Sequence, residues 1–437
     1  MMYFRLNSLT FLNVGKNYTI YDMKNNRIFI LDDNVGKLLK WLELNNSIED
    51  FPKHDEKAIE VLNKIQSFGI GDFYDSKVHI EKFRYSIPAK FKGMLESVPH
   101  YVKVYLEITN NCNLNCTFCG NSKLKNWLGC QSCFINYRHL KSKINYPNLI
   151  KELEEINLKE LIIRSGDPFL ELDILKEIVG ECKKNNQIDI TITTNGTENA
   201  DMIIGLMKEY SRLKINVVVF STYKFNIEKQ NADIAKEELQ RELFKRLKEE
   251  ELPFSITVQV TEENIKYVQE VIDDLKQEWG KNPLVSELID FEKDRCLPHI
   301  DENNKVISEY RNTREFYLRQ EYNTCLYGVF SIDLFGNVKP CPGIEMVIGN
   351  LQDNSLREVL GRDTLFDYWK YTKDKVSNCK DCAMKYFCSD CSIFEIEASK
   401  NAALHRYYCP VNVTNEKIDL FELNLKNRNG NFIELKY

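Results

Sequence analysis

The segment NNCNLNCTFCG, residues 110–120, decides how this chain is read. It holds Cys112, Cys116 and Cys119 within eight residues. Three thiolates this close can bind three irons of a cubane iron–sulfur cluster and leave the fourth iron open. No fourth cysteine stands at matching spacing. The competing reading is a zinc knuckle or a set of loose thiols. The strand-like run VKVYLEI (102–108) leads directly into this loop. The cysteines therefore lie beyond the C-terminal end of a strand, where parallel α/β sheets build their active sites.

Working outward, strands and helices alternate from 101 to about 292. ELIIRS, DITITT, INVVVFS, FSITVQV and LVSELID follow the first strand, with helical stretches between them. Their β-branched content and the alternation imply a parallel sheet with helices outside. Six βα units fall short of the eight of a closed barrel, so a partial, open (β/α)6 barrel is expected. Residues 86–100 carry two prolines and little periodicity and read as a linker. Residues 293–320 are charged and read as a connector.

Ahead of the barrel, residues 1–85 form a small domain. YFRLNSLTFLNV, NYTIYDM and RIFILD read as three strands. Helices are expected at DDNVGKLLKWLELNN, at IEDF after Ser47, and at DEKAIEVLNKIQS. Three strands followed by three helices is a winged-helix-like order. Behind the barrel, residues 321–437 are cysteine-rich, with a thin apolar core of the kind metal often supports.

Composition narrows the function. Lys and Arg number 59 against 65 Asp and Glu, a net charge of −6. That argues against a nucleic-acid partner, whose phosphates call for a basic surface. No apolar run approaches the ~20 residues of a membrane span, so no membrane partner is expected. The start MMYFRLNSLT lacks the order of a signal peptide, and a cytoplasmic location is expected. The chain has 14 cysteines and only 6 histidines. Grouped thiols in a reducing compartment favour iron–sulfur clusters over disulfides.

These motifs, in this order, resemble the radical S-adenosylmethionine (SAM) enzymes. Cys112-x3-Cys116-x-Phe118-Cys119 matches their signature. Ser165-Gly166-Asp167-Pro168 ends the second strand, where the family usually has Gly-Gly-Glu-Pro. Thr194-Asn195-Gly196 ends the third strand and Ser221 the fourth. The resemblance implies that the open iron takes the amino and carboxylate groups of SAM. It places Ser165, Gly166 and Asp167 at the methionine amino group and Phe118 near the adenine. Asn195 and Ser221 fall where contacts to ribose and carboxylate usually lie. Asp167 is one methylene shorter than the family's Glu. Its direct contact is therefore in question, and Asn195-Gly196 also reads as a plain turn. The implied chemistry is one-electron cleavage of SAM, whose 5′-deoxyadenosyl radical takes a hydrogen atom from the substrate.

At the C-terminus, Cys325-x10-Gly336-x4-Cys341 precedes Cys379-x2-Cys382-x5-Cys388-x2-Cys391 and Cys409. This layout resembles the SPASM domain, which holds two auxiliary [4Fe–4S] clusters, for three clusters in all. A pair of zinc ribbons is the alternative. The resemblance implies Cys379, Cys382, Cys388 and Cys409 on the outer cluster and Cys325, Cys341 and Cys391 on the inner one. The inner cluster's fourth ligand is usually an upstream cysteine. Cys296 is the nearest, 29 residues before Cys325; otherwise one iron stays open. Cys130 and Cys133, in GCQSC, have no assignment; Cys182 reads as a core thiol.

The N-terminal order of elements resembles the recognition domain of ribosomal-peptide maturases, which binds a leader peptide as an added strand. The expected function is a radical SAM maturase. It would form an oxidative thioether or carbon–carbon crosslink in a ribosomally made precursor peptide, with flavodoxin or ferredoxin as electron donor. The alternative is a sulfatase-maturase-like enzyme that converts a protein Cys or Ser to formylglycine. A third reading is a non-catalytic iron–sulfur protein.

Overall fold

The computed structural model describes residues 1–83, 101–219, 231–290, 313–386, 391 and 432–435, with short breaks at 16–17, 26, 53–55, 115, 117, 122, 128, 135–141, 143, 262–263, 265–266, 377–378 and 384. Ser221, Cys296, Cys388, Cys409, the stretch 86–100 and most of the connector lie outside the described residues.

In the N-terminal part the chain forms β1 (Tyr3–Leu6), β2 (Thr10–Val14), β3 (Tyr18–Asp22), β4 (Arg27–Leu31) and β5 (Gly71–Tyr74), with helices at Asp33–Glu43 and Glu56–Ser67. The expected first strand is broken in two. A turn closed by Thr10 N–H on the Asn7 carbonyl (3.0 Å) sends β1 to pair with β5, while β2, β3 and β4 form their own antiparallel sheet. Asp32 caps the first helix through Asn34 and Val35 N–H, both 2.9 Å. The helix expected after Ser47 is absent. Pro52 restricts Phe51 to extended backbone, so a four-residue helix has no room to propagate. Ser47 instead closes a turn on Asp50, whose carboxylate accepts its hydroxyl at 2.7 Å. Apolar faces of both helices close over the sheet around Leu38, Leu42, Val61 and Leu62.

The barrel strands are β6 (Lys103–Glu107), β8 (Glu160–Arg164), β9 (Asp189–Thr194), β10 (Leu213–Val219), β11 (Phe254–Val260) and β12 (Leu284–Asp290), with β7 (Leu124–Trp127) inserted after the cysteine loop. The six pair in parallel in that order, as their alternation with helices requires. Two additions were not visible beforehand. β7 pairs antiparallel with β12, so the chain after the cysteine loop crosses from one edge of the six strands to the other. On the β6 edge, the C-terminal domain adds β13 (Val329–Ile332) in parallel, then β14 (Asn337–Lys339) and β15 (Gly349–Asn350), completing a ten-stranded sheet.

The strands alternate in character. Leu161, Ile163, Ile190, Ile192, Val217 and Val258 face one continuous core, which runs on into Phe330, Val338 and Trp369. The opposite face carries Glu107, Arg164, Thr193, Asn216, Gln259 and Ser286, all at the alternate positions and nearly all fully buried. A parallel strand covered by helices on both faces would be apolar throughout. A polar inner face marks the lumen of an open barrel.

The N-terminal sheet docks on the C-terminal domain. The Ala383 carbonyl accepts the Thr19 hydroxyl at 3.0 Å, and also the Tyr21 hydroxyl and the Asn13 amide. Phe11 and Tyr21 pack on Phe316 with ring centroids 5.1 and 5.2 Å apart. A fourth strand joins this sheet from the far end of the chain: β16 (Phe432–Leu435) pairs in parallel with β4. Among the described residues no helix is long and apolar enough to cross a membrane.

Candidate active site at the barrel mouth

The cysteine loop is clamped between the ends of β6, β8 and β9. Asp167 N–H donates to the Asn111 carbonyl at 2.7 Å, and the Asn111 amide donates to Glu171 at 3.0 Å. Gly166 has φ +57°, and a Cβ there would fall on the Asn111 carbonyl oxygen. Glycine is thus required both for the left-handed backbone and for the close approach. Ser165 shares that conformation at φ +79° although it is not glycine. Such a residue carries strain of roughly 1–2 kcal/mol, held by the contacts around it.

Cys112, Cys116 and Cys119 are all half-buried. The Cys112 sulfur accepts the Leu114 N–H and the Asn195 amide, each at 3.4 Å. Burial raises the Cys112 thiol pKa; the hydrogen bond with Cys119 raises that of Cys116, and so does the nearby Cys133. Thiols that crowd one another in this way stay protonated at neutral pH, and a cation among them would favour the thiolates. That is the donor set an iron–sulfur cluster needs. No three His, Cys, Asp or Glu side chains among the described residues converge as they would on a single ion. A cubane spreads its thiolates over separate irons, so the donors need only surround a volume. On the lumen face the buried Thr193 hydroxyl has no partner among the described residues, a polar group left for a ligand.

Of the residues expected to contact SAM, Asp167 and Asn195 are brought together at this mouth but are turned toward the protein. Asp167 is fully buried. Its carboxylate accepts the Thr194 hydroxyl at 2.9 Å and the N–H groups of Asn195 and Phe169, both at 3.1 Å. Asn195 donates to Asn113 at 2.8 Å, and its side-chain oxygen accepts the Thr197 N–H at 2.9 Å. Both residues therefore lock the bends after β8 and β9 to the cysteine loop. Phe118 packs on Phe134, with centroids 6.3 Å apart, beside Leu288 of β12. Of the cysteines expected to hold the auxiliary clusters, Cys341, Cys379 and Cys391 are buried. Cys382 N–H closes a turn on the Cys379 carbonyl at 2.9 Å. Cys182 is a core thiol, as its helical position implies.

Burial pushes the Asp167 carboxyl from its ordinary 3.8 up to about 6, against the opposing pull of the Thr194 hydroxyl and the two N–H donors. A carboxyl whose folded pKa is raised stabilises the fold most below its unfolded pKa. That contribution is lost as pH rises through the folded value. Wild type should therefore gain on Asp167→Asn as pH falls from 6 to 4 in the SAM-free enzyme. At ~1.4 kcal/mol per pH unit, with a shallower slope close to each pKa, the gain is about 2 kcal/mol, read from the pH dependence of the gap between their thermal midpoints. A gap independent of pH would mean that Asp167 keeps an ordinary pKa.

Sequence reasoning missed the lumen residues beside this site. Arg164 pairs with Glu107 at 2.8 Å and donates to the Ser132 carbonyl at 3.1 and 3.2 Å. The Ser132 hydroxyl donates to Gln259 at 2.6 Å. Burial raises Glu107 while Arg164 opposes the rise. An open cleft with about 710 Å³ of empty space lies here, lined by Glu107, Arg164, Cys130, Phe134, Lys339 and Gly343 among others. Lys125 of β7 pairs with Glu345 of the C-terminal domain across its rim. The polar residues at alternate strand positions were the one available signal.

The similarities agree with this geometry. Residues 106–275 match the Radical SAM superfamily, and residues 324–383 match the SPASM iron–sulfur cluster-binding domain. The uncharacterized protein MJ0907 of Methanocaldococcus jannaschii is 24% identical over 280 residues, 60% of this chain and 92% of its own length. Native anSMEcpe with bound AdoMet superposes with a TM-score of 0.52 at 17% identity, covering 74% of this chain and 96% of that one. Streptococcus suis SuiB bound to its precursor peptide SuiA aligns over 93% of this chain and 99% of its own, at 16% identity and a TM-score of 0.47. The chain carries a radical SAM domain over residues 106–275 and a SPASM iron–sulfur domain over residues 324–383, and is an enzyme that uses SAM and iron–sulfur clusters.

Proposed function

We propose that this enzyme matures a ribosomally made precursor peptide, joining two of its residues by an oxidative thioether or carbon–carbon crosslink. The observation that carries this reading is the N-terminal sheet, whose β4 edge already accepts an extended segment, β16, by main-chain pairing. An edge competent for strand addition is what recognition of a leader peptide requires. Peptide substrates also occur in the family, since anSMEcpe has been solved with bound AdoMet and the Cp18Cys peptide.

The cluster of Cys112, Cys116 and Cys119, with SAM bound, would supply hydrogen-atom abstraction. The chain's own residues do the rest. Asp167 and Asn195 hold the mouth rigid, and Phe118, Phe134 and Leu288 screen the cysteine loop from water. The polar lumen and the cleft beside Glu107 and Arg164 receive the core peptide. Closing the crosslink removes a second electron and a proton. Auxiliary clusters held by the C-terminal cysteines would supply an acceptor for that electron, and a flavodoxin or ferredoxin would supply the reductant for the first cluster.

The test is the accurate mass of a short peptide encoded beside the gene, after anaerobic co-expression with the enzyme. Loss of two hydrogen atoms supports the crosslink. An unchanged peptide, together with conversion of a sulfatase-derived Cys peptide to formylglycine, supports the alternative. Docking has its own test. Truncation after residue 431 removes β16 and frees the β4 edge. Leader affinity should rise by about tenfold or more once an intramolecular competitor at millimolar effective concentration is gone. Unchanged affinity would place the leader elsewhere.

A further inference from the structure

We propose that Cys130 is the fourth protein ligand of the inner auxiliary cluster, completing the set of Cys325, Cys341 and Cys391; this rests on the C-terminal domain holding such a cluster. Cys130 belongs to the barrel's insertion, nearly two hundred residues before Cys325. Its position follows from the fold. It sits in the short turn Gly129–Gln131, directly after β7. Its side chain packs against Tyr105, Ile162 and Val329, the last of which opens β13, four residues after Cys325. It lines the cleft together with Lys339, Pro342 and Gly343, which surround Cys341. Tyr105 hydrogen-bonds with Cys130 and lies within electrostatic reach of both Cys325 and Cys341. Cys341 in turn lies within reach of Cys325 and Cys130. Cys391 is buried in the same core as Cys341.

The turn is held firmly enough to present a ligand. The Ser132 N–H bonds the Gly129 carbonyl at 2.9 Å, and Arg164 grips the Ser132 carbonyl from below. A side chain at Gly129 would overlap Asn126, whose amide side chain accepts the Ser286 hydroxyl at 2.5 Å. Cys133, three residues on, lies on the other side. Its carbonyl accepts the Gly166 N–H at 3.2 Å, and its neighbours are Cys112 and Cys119. The two cysteines of GCQSC thus divide between the two cluster sites. On binding iron the Cys130 thiol loses its proton to solvent and binds as thiolate. Four cysteine ligands leave the inner cluster no open iron for a substrate sulfur. Its part in the reaction is then to accept an electron.

The experiment uses the full chain carrying Cys112, Cys116 and Cys119→Ala, reconstituted without oxygen, so that iron reports only on the C-terminal clusters. With Cys130 intact it should hold about eight irons, and added β-mercaptoethanol should leave its electron paramagnetic resonance spectrum unchanged. Adding Cys130→Ala should remove about one iron and give a three-iron signal on oxidation, or make the spectrum respond to the thiol. Cys130→Ser should keep the iron count and shift the Mössbauer parameters of one site. Cys133→Ala should change neither. The proposal is overturned if Cys130→Ala matches its parent, whether Cys296→Ala produces the change or the parent already responds to thiol. A parent without iron would instead remove the auxiliary clusters themselves, a different failure.

Discussion

Replacing Cys112, Cys116 and Cys119 together by alanine should abolish reductive cleavage of SAM while the C-terminal domain keeps its iron. The three sulfurs leave one loop of eight residues, held by Asn111 to Asp167 and by Asn195 to the Cys112 sulfur. Nothing else described at the barrel mouth offers a comparable set. Cys133 is the nearest further thiol, and its carbonyl ties it to the Gly166 bend. Burial and crowding keep the Cys112 and Cys116 thiols protonated, so alanine removes no charge from the loop, only the weak hydrogen bonds that the Cys112 sulfur accepts, and folding should change little. Loss of cleavage with unchanged folding therefore isolates ligation from structure. 5′-Deoxyadenosine production under dithionite measures the first quantity and iron per chain the second. Deoxyadenosine at the wild-type rate would sink the assignment of this loop.

The second large effect is expected from Arg164→Ala. The guanidinium is buried, with its side chain 6% exposed, and it faces Glu107 at 15%. It also donates to the carbonyls of Ser132 and Phe134. Removing it leaves a buried carboxylate unpaired and frees the turn that carries Cys130. Breaking such a pair costs about 3–5 kcal/mol. Arg164→Ala should therefore lower the thermal midpoint markedly and shed auxiliary iron. Arg164→Met with Glu107→Gln should recover much of the stability, because neither charge is then left alone. If Arg164→Ala melts with wild type, the lumen is wetter than its burial implies, and water has taken the place of the ion pair.

Local chemistry made much of this legible beforehand. Six runs of β-branched residues separated by helical stretches imply six parallel strands, because such strands need crossover helices. Ligand spacing within one loop, as in residues 112–119, is a local property, and so is the Cys379–Cys382 turn. The Ser47 helix failed for an equally local reason, Pro52, which was present in the sequence and outweighed the cap.

Other features depended on which edges and faces meet. The pairings of Val329 with Lys103 and of Phe432 with Ile28 join segments hundreds of residues apart. No spacing rule predicts them, because any exposed strand edge offers the same unpaired N–H and C=O groups. Glu107 and Arg164 are ordinary charges at strand ends until the sheet curls and closes both into one lumen. GCQSC is likewise a bare Cys-x2-Cys until β7 crosses to β12 and brings Cys130 against β13. The sequence by itself determined the chemistry each segment can perform, since side-chain identity and short-range spacing travel with the chain. Only the tertiary structure decided which segments share a site, because burial and strand pairing bring together groups that the chain keeps far apart.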